Sequence, residues 1–126
     1  MWAADAASQA LGIELEEVTP GYARARMRVS ASMINGHDVC HGGYVFLVAD
    51  TAFAFACNTY GAVTLASACD IVFVAPAHAG DELVAEARER TRFGRNGVYD
   101  VTVRRHDGSV VAEFRGHSRA TSRSIL

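Results

Sequence analysis

The run HGGYVFLVADTAFAFACN, residues 41–58, constrains the fold more than any other part of the chain. From Gly43 to Asn58 it is rich in Ala, Phe and Leu, and Gly61 can close it. Sixteen such residues at about 1.5 Å each make a helix of roughly 24 Å. That helix is apolar on nearly every side, so other elements must wrap it. No uninterrupted apolar stretch reaches the roughly 18 residues of a membrane span. In its middle stands one carboxylate, Asp50, with no Arg or Lys within nine residues on either side.

The wrapping is predicted to be β-structure. IELEEV and YARARMRVS flank the turn signal Thr19-Pro20-Gly21. The second segment alternates, with Tyr22, Arg24, Arg26 and Arg28 on one face and Ala23, Ala25, Met27 and Val29 on the other. Residues 30–42 are polar and read as a loop. AVTLASACDIVFVAP reads as a strand that stops at Pro76. DELVAEARERTRF sets Leu83, Ala85 and Ala87 against Glu86, Arg88 and Arg90, and GRNG follows with an Asn-Gly hairpin signal. VYDVTVRRH and SVVAEFRGHSRA surround Asp107-Gly108, a second such signal, and Arg115, His117 and Arg119 share a face of the last strand. An Ala-rich helix over residues 3–11, ending at Gly12, opens the chain. The predicted class is α+β, one long central helix wrapped by an antiparallel sheet, as a single domain over residues 1–126. One helix cannot cover a broad sheet, so the subunit is expected to pair with a copy of itself.

Half the chain is apolar, enough for a real core, and the net charge of −2 does not suggest a nucleic-acid binder. All twelve basic residues are Arg, which suits contact with phosphate. Three widely spaced Cys and no CxxC argue against a disulfide framework and fit a reducing cytosol. MWAADAASQALG lacks the charged start and apolar run of a signal peptide. A cytoplasmic location is therefore expected.

An acid in an apolar helix is costly unless something satisfies it or uses it. Burial would raise its pKa and its basicity. His41-Gly42-Gly43 precedes the helix, and two glycines there allow close approach to amide groups that the helix dipole makes attractive to an anion, such as an oxyanion developing on a carbonyl. The same residues could simply shape a tight helix start. His37, Asp38, Cys40 and His41 are dense in metal-ligating groups, but HxxCH matches no usual zinc spacing, so no metal or cofactor is expected. No G-x-S-x-G elbow supports a serine triad.

NGHDVCHGGYVFLVADTAFAFACN resembles the signature of the hotdog-fold acyl-CoA thioesterases, specifically the PaaI type of phenylacetic acid degradation. ASACDIVFVAPAHAGDELVAEA, GVYDVTV and VAEFRGHS are similar to later parts of the same family in the same order, so the likeness covers residues 10–120. The resemblance implies a helix "sausage" in a sheet "bun", a dimer with active sites at its interface, and usually a tetramer. It implies that Asp50 is the general base or nucleophile, that the Gly42 amide polarises the thioester carbonyl, and that His41 and Asn35 line the same site. Thr51 matches a residue that positions substrate or water, and Ser67 lies where some relatives hold the attacking water. Asp50 would then come from one chain, and Asn35, His41 and Gly42 from the other.

CoA phosphates need cations, and Arg92, Arg95, Arg115 and Arg119 are the candidates. Tyr44, Phe46, Phe53 and Phe55 are candidates for an aromatic acyl pocket, with one or two expected to serve. The function expected is hydrolysis of phenylacetyl-CoA or a ring-hydroxylated relative. A hotdog hydratase or dehydratase using a His41–Asp50 pair, and a non-catalytic acyl-CoA sensor, are the alternatives. No helix-turn-helix is evident to give a sensor its output.

Overall fold

A computed structural model describes residues 1–125. Strands β1 (Glu14–Thr19) and β2 (Tyr22–Arg28) form the first hairpin. The central helix α2 (Gly42–Cys57) follows, then strands β3 (Ala62–Phe73), β4 (Glu82–Phe93), β5 (Asn96–Arg105) and β6 (Val110–Ser124). Neighbouring strands are antiparallel in the order β1-β2-β4-β5-β6-β3. This is the hotdog arrangement.

The alternation in the strands decides where the helix lies. Ala23, Ala25 and Met27 on β2, and Leu83, Ala85 and Ala87 on β4, are fully buried. Ala25 pairs with Ala85 and Ala23 with Ala87, so a floor of methyl groups lies beneath α2. Such small side chains let the helix, itself lined with Ala49, Ala52 and Ala56, sit close to the sheet. Tyr99, Val101 and Val103 on β5 and Phe114 on β6 fill the wider side. Each large side chain so buried contributes about 1.5–3 kcal/mol. The outer face carries the charges. Glu86 holds Arg88 at 3.3 Å, and Asp100 sits between Arg90 at 3.4 Å and Arg115 at 2.6 Å.

Asn58 ends α2 and starts β3 in one step. Its side-chain amide donates to Ala54 O at 2.7 Å and Thr64 O at 2.9 Å, and its Oδ1 accepts from Thr64 N–H at 2.8 Å. The helix therefore runs one residue earlier at each end than predicted.

Two local expectations are corrected. The opening helix is split: a 3-10 turn covers Trp2–Ala4, and α1 covers only Ala6–Ala10. Asp5 divides them because its carboxylate caps α1 by accepting from Ser8 N–H at 3.1 Å. The β4–β5 turn is centred on Gly94-Arg95, since Phe93 pairs with Asn96. Gly94 has φ +57°, as the first central position of a type II′ turn requires, and Asn96-Gly97 already belongs to β5.

Candidate active site

His41 is the N-cap of α2, and its Nδ1 accepts from Gly43 N–H at 3.0 Å. In the neutral ring the proton is then on Nε2, which faces outward as a donor. Tyr44 N–H bonds His41 O at 3.0 Å. The Gly42 N–H between them has no acceptor among the described residues. It lies at the positive end of the helix dipole and borders a cavity of about 370 Å³ walled by Cys40, Val45, Phe73, Val74 and Ala77.

Asn35 shapes the approach to that end. Its Oδ1 accepts from His37 N–H at 2.9 Å and Val39 N–H at 3.3 Å, and its own N–H bonds Val39 O at 2.8 Å. The loop this closes takes Asp38 to φ +62°. With the oxygen so engaged, the Asn35 NH₂ group is left to donate outward.

Asp50 lies two turns further along α2 and is half-buried. It has no ion pair or hydrogen bond among the described residues. Burial raises its pKa from 3.8, and the nearby Asp5 carboxylate adds to the rise. It opens into a cavity of about 460 Å³, lined along the helix by Phe53, Ala54 and Cys57 and across from it by Val63, Thr64, Leu65 and Ala66 of β3. The helix contribution is the stripe i, i+3, i+4, i+7 counted from Asp50, which sequence periodicity alone could have singled out. Met1, Asn58, Ser124 and Ile125 complete the lining, and no sequence pattern pointed to them. Burial pushes the Cys57 thiol up to about 12, so it is a wall and not a nucleophile.

Thr51 faces away from that cavity. It is buried, and its Oγ1 lies 2.8 Å from Ser8 Oγ on α1. Ser67 Oγ donates to His117 O at 3.1 Å and is also outside the lining. Of the four candidate aromatics only Phe53 lines the Asp50 cavity. Tyr44 packs edge-on to His41, Phe46 to Phe114 and Phe55 to Trp2.

The Arg candidates separate. Arg92 and Arg95 line a third cavity of about 210 Å³ that shares Cys57 and Thr64 with the Asp50 cavity. The Arg92 guanidinium lies 3.6 Å above the Tyr60 ring. Arg119 is exposed on β6 opposite Asn96, close to this hairpin. Arg115 is elsewhere: Asp100 on the outer face holds it in a bidentate pair at 2.6 and 2.8 Å. Among the described residues no His, Cys, Asp and Glu side chains converge as a metal-ligand set, and no helix is long and apolar enough to cross a membrane.

Within one chain, Gly42 and Asp50 do not meet. Eight residues of helix separate them by about 12 Å and about 80° of rotation. A carbonyl bond is about 1.2 Å long, so no single reacting group spans the gap. The chain thus carries an unpartnered carboxylate at one place and a helix-start amide without an acceptor at another.

Comparison with known proteins gives this geometry a family. The profile of the Thioesterase superfamily matches residues 37–112. The acyl-coenzyme A thioesterase PaaI of Escherichia coli K12 is 45% identical over 125 residues, covering 99% of this chain and 89% of that protein. The solved structure of the E. coli PaaI protein from the phenylacetic acid degradation operon superposes with a TM-score of 0.97 at 44% identity, over 100% of this chain and 91% of that one. An asparagine-to-aspartate mutant of the phenylacetic acid degradation protein PaaI from Thermus thermophilus gives 0.87 at 33% identity, over 90% and 97%. The chain, with its lone carboxylate in a greasy cavity and an unpaired amide at the start of the same helix, therefore belongs to the thioesterase superfamily.

Proposed function

We propose that the chain hydrolyses an aryl-acetyl thioester of CoA, phenylacetyl-CoA or a ring-hydroxylated relative, in a site built by two copies of itself. Asp50 of one copy is the base or nucleophile, and Gly42, His41 and Asn35 of the other bind the thioester carbonyl.

One observation carries this reading. Strand β3 is an edge of the sheet, and the Asp50 cavity borders one end of it while the Gly42 cavity borders the other. That edge is unprotected: Leu65 is 57% exposed and Phe73 53%. Exposed apolar edge strands invite pairing, and a closed pair of identical chains is two-fold symmetric. A two-fold axis near Cys69 sets Leu65 against the partner's Phe73. The Asp50 cavity of each chain then meets the Gly42 amide of its partner, twice per dimer. A tetramer made of two such dimers is the assembly the family resemblance favours.

The chemistry follows. Asp50 takes a proton from water, and the water oxygen bonds to the thioester carbon. The oxyanion formed is held by the partner's Gly42 N–H at the positive end of α2, with the Asn35 NH₂ and His41 Nε2–H beside it. Collapse breaks the C–S bond, and the proton on Asp50 goes to the leaving CoA sulfur. Direct attack by the carboxylate would pass instead through an anhydride, which water then cleaves. Thr51 takes no part in the reaction; through Ser8 it holds α1 against α2, a role in stability. Arg92, Arg95 and Arg119 offer cations for the CoA phosphates. Arg115 is left out because Asp100 already holds it. His41 Nδ1 is tied to Gly43 N–H, which speaks against the proton-shuttling His41–Asp50 pair of a dehydratase.

The test is thiol release from a panel of aromatic and straight-chain acyl-CoAs. Release is expected, with the highest kcat/KM for phenylacetyl or hydroxyphenylacetyl groups. Tight binding without release would mean an acyl-CoA sensor, and a preference for long straight chains would overturn the aromatic assignment.

A further inference from the structure

The tripeptide Phe114-Arg115-Gly116 belongs to the family likeness, yet the reaction uses none of it. Phe114 is core and Arg115 is held by Asp100. Gly116 is a buried glycine in a regular strand, opposite Tyr99 and Cys69, with no turn to explain it. Its neighbour explains it. A Cβ at this position would lie 2.7 Å from Cε1 and Cζ of Phe53 and 2.8 Å from Cδ1. No methyl group fits there while the ring stays in place.

Phe53 is wedged between Tyr99 and Phe114, with centroid separations of 5.7 and 5.8 Å, and α2 lies behind it. The ring is almost wholly buried, and the cavity its residue lines is that of Asp50. Phe53 is three residues after Asp50, so the two share one stripe of the helix. The missing side chain at residue 116 therefore lets the ring sit back into the sheet and leaves room beside the carboxylate.

We infer that Gly116 is a specificity-determining residue: by admitting the Phe53 ring into the sheet it sets the width of the acyl cavity, and a side chain there narrows the cavity against aromatic acyl groups. This rests on the thioesterase reading of the same cavity. Gly116 touches no substrate and acts through Phe53.

The experiment compares kcat/KM for phenylacetyl-CoA and butyryl-CoA in the wild type, Gly116→Ala and the double variant Gly116→Ala/Phe53→Leu. Leu has no atoms where Cε1 and Cζ stood. A methylene-sized change in an apolar pocket alters discrimination about tenfold or more, so G116A is expected to lower the phenylacetyl-to-butyryl ratio by at least that factor, and F53L to restore it. Equal loss on both substrates, or no rescue, would show a packing glycine and overturn the inference. Should G116A not fold, F53L alone reads the same wall: it must raise the rate on 2-naphthylacetyl-CoA relative to phenylacetyl-CoA, and an unchanged ratio overturns the inference. If the wild type releases no thiol from any substrate, the thioesterase reading falls separately. Calorimetric binding of phenylacetate then decides, with weakening in G116A and recovery in the double variant expected, and equal or absent binding in all three overturning it.

Discussion

Gly42 lies beneath the Phe73 ring so closely that a methyl group on it would come within 3.0 Å of Cζ. The atoms met, Cζ and Cε1, are the far end of the ring, which need give by only a few tenths of an ångström. The position also suits proline. Gly42 is the first residue of α2, where the helix does not use the N–H, and His41 has φ −59° and ψ +133°, the extended conformation proline asks of its predecessor. Gly42→Pro therefore removes the proposed oxyanion donor and little else. A loss of about 10²–10³ in kcat is expected, with helicity, oligomer size and melting temperature close to wild type. An unchanged kcat would remove this amide from the mechanism.

Asp50→Asn is expected to lower kcat/KM by about 10²–10⁴ and to stabilise the protein at neutral pH. The sign follows from burial. The folded-state pKa of Asp50 is raised above 3.8, so ionisation costs folding free energy. That cost is absent below the unfolded pKa, grows between the two values and is complete above the folded one. Asn carries no such cost. Denaturation at a series of pH values should show the variant more stable at neutral pH, with the gap closing as pH falls through the folded pKa. The acid limb of the wild-type rate profile should likewise lie above 3.8. A variant less stable than wild type at neutral pH would contradict the buried, unpartnered carboxylate.

Periodicity made the fold legible, because alternation in β2 and β4 and unbroken apolarity in α2 leave one way to bury both. Asp50 and Gly42 were legible as an acid without a local partner and a glycine before a helix. Thr51 was not. Its neighbour in sequence is Asp50, yet one helical step of about 100° turns it to Ser8, 43 residues away. The pairing of Arg115 was hidden for a similar reason, since its partner Asp100 lies on the adjacent strand and only register brings them together. The β4–β5 turn was misplaced because GRNG offers two glycines and composition does not say which takes positive φ.

The Ser8–Thr51 bond makes its own prediction. Both hydroxyls are buried, so removing one strands the other. Thr51→Val, nearly isosteric, is expected to cost about 1–3 kcal/mol in chemical denaturation. Adding Ser8→Ala should cost less than the sum of the single changes. The kcat/KM of T51V should stay near the wild-type value. A large loss with stability unchanged would mean that Thr51 meets substrate or water directly, as the family likeness alone implied.

The two-chain site is tested by mixing defects. Asp50→Asn and Gly42→Pro are each expected to inactivate both sites of the proposed homodimer. In a mixed dimer, one site receives the Asn from one chain and the Pro from the other, while the second receives intact Asp50 and intact Gly42. Random co-assembly puts half the dimers in mixed form, so co-expression of the two variants should recover about a quarter of wild-type activity. Separately purified variants, combined without subunit exchange, should recover none. If base and amide served the same site within one chain, every site in the mixture would carry one defect, and activity would stay at the level of the variants. Recovery in the co-expressed sample alone would thus tie Asp50 of one copy to Gly42 of the other.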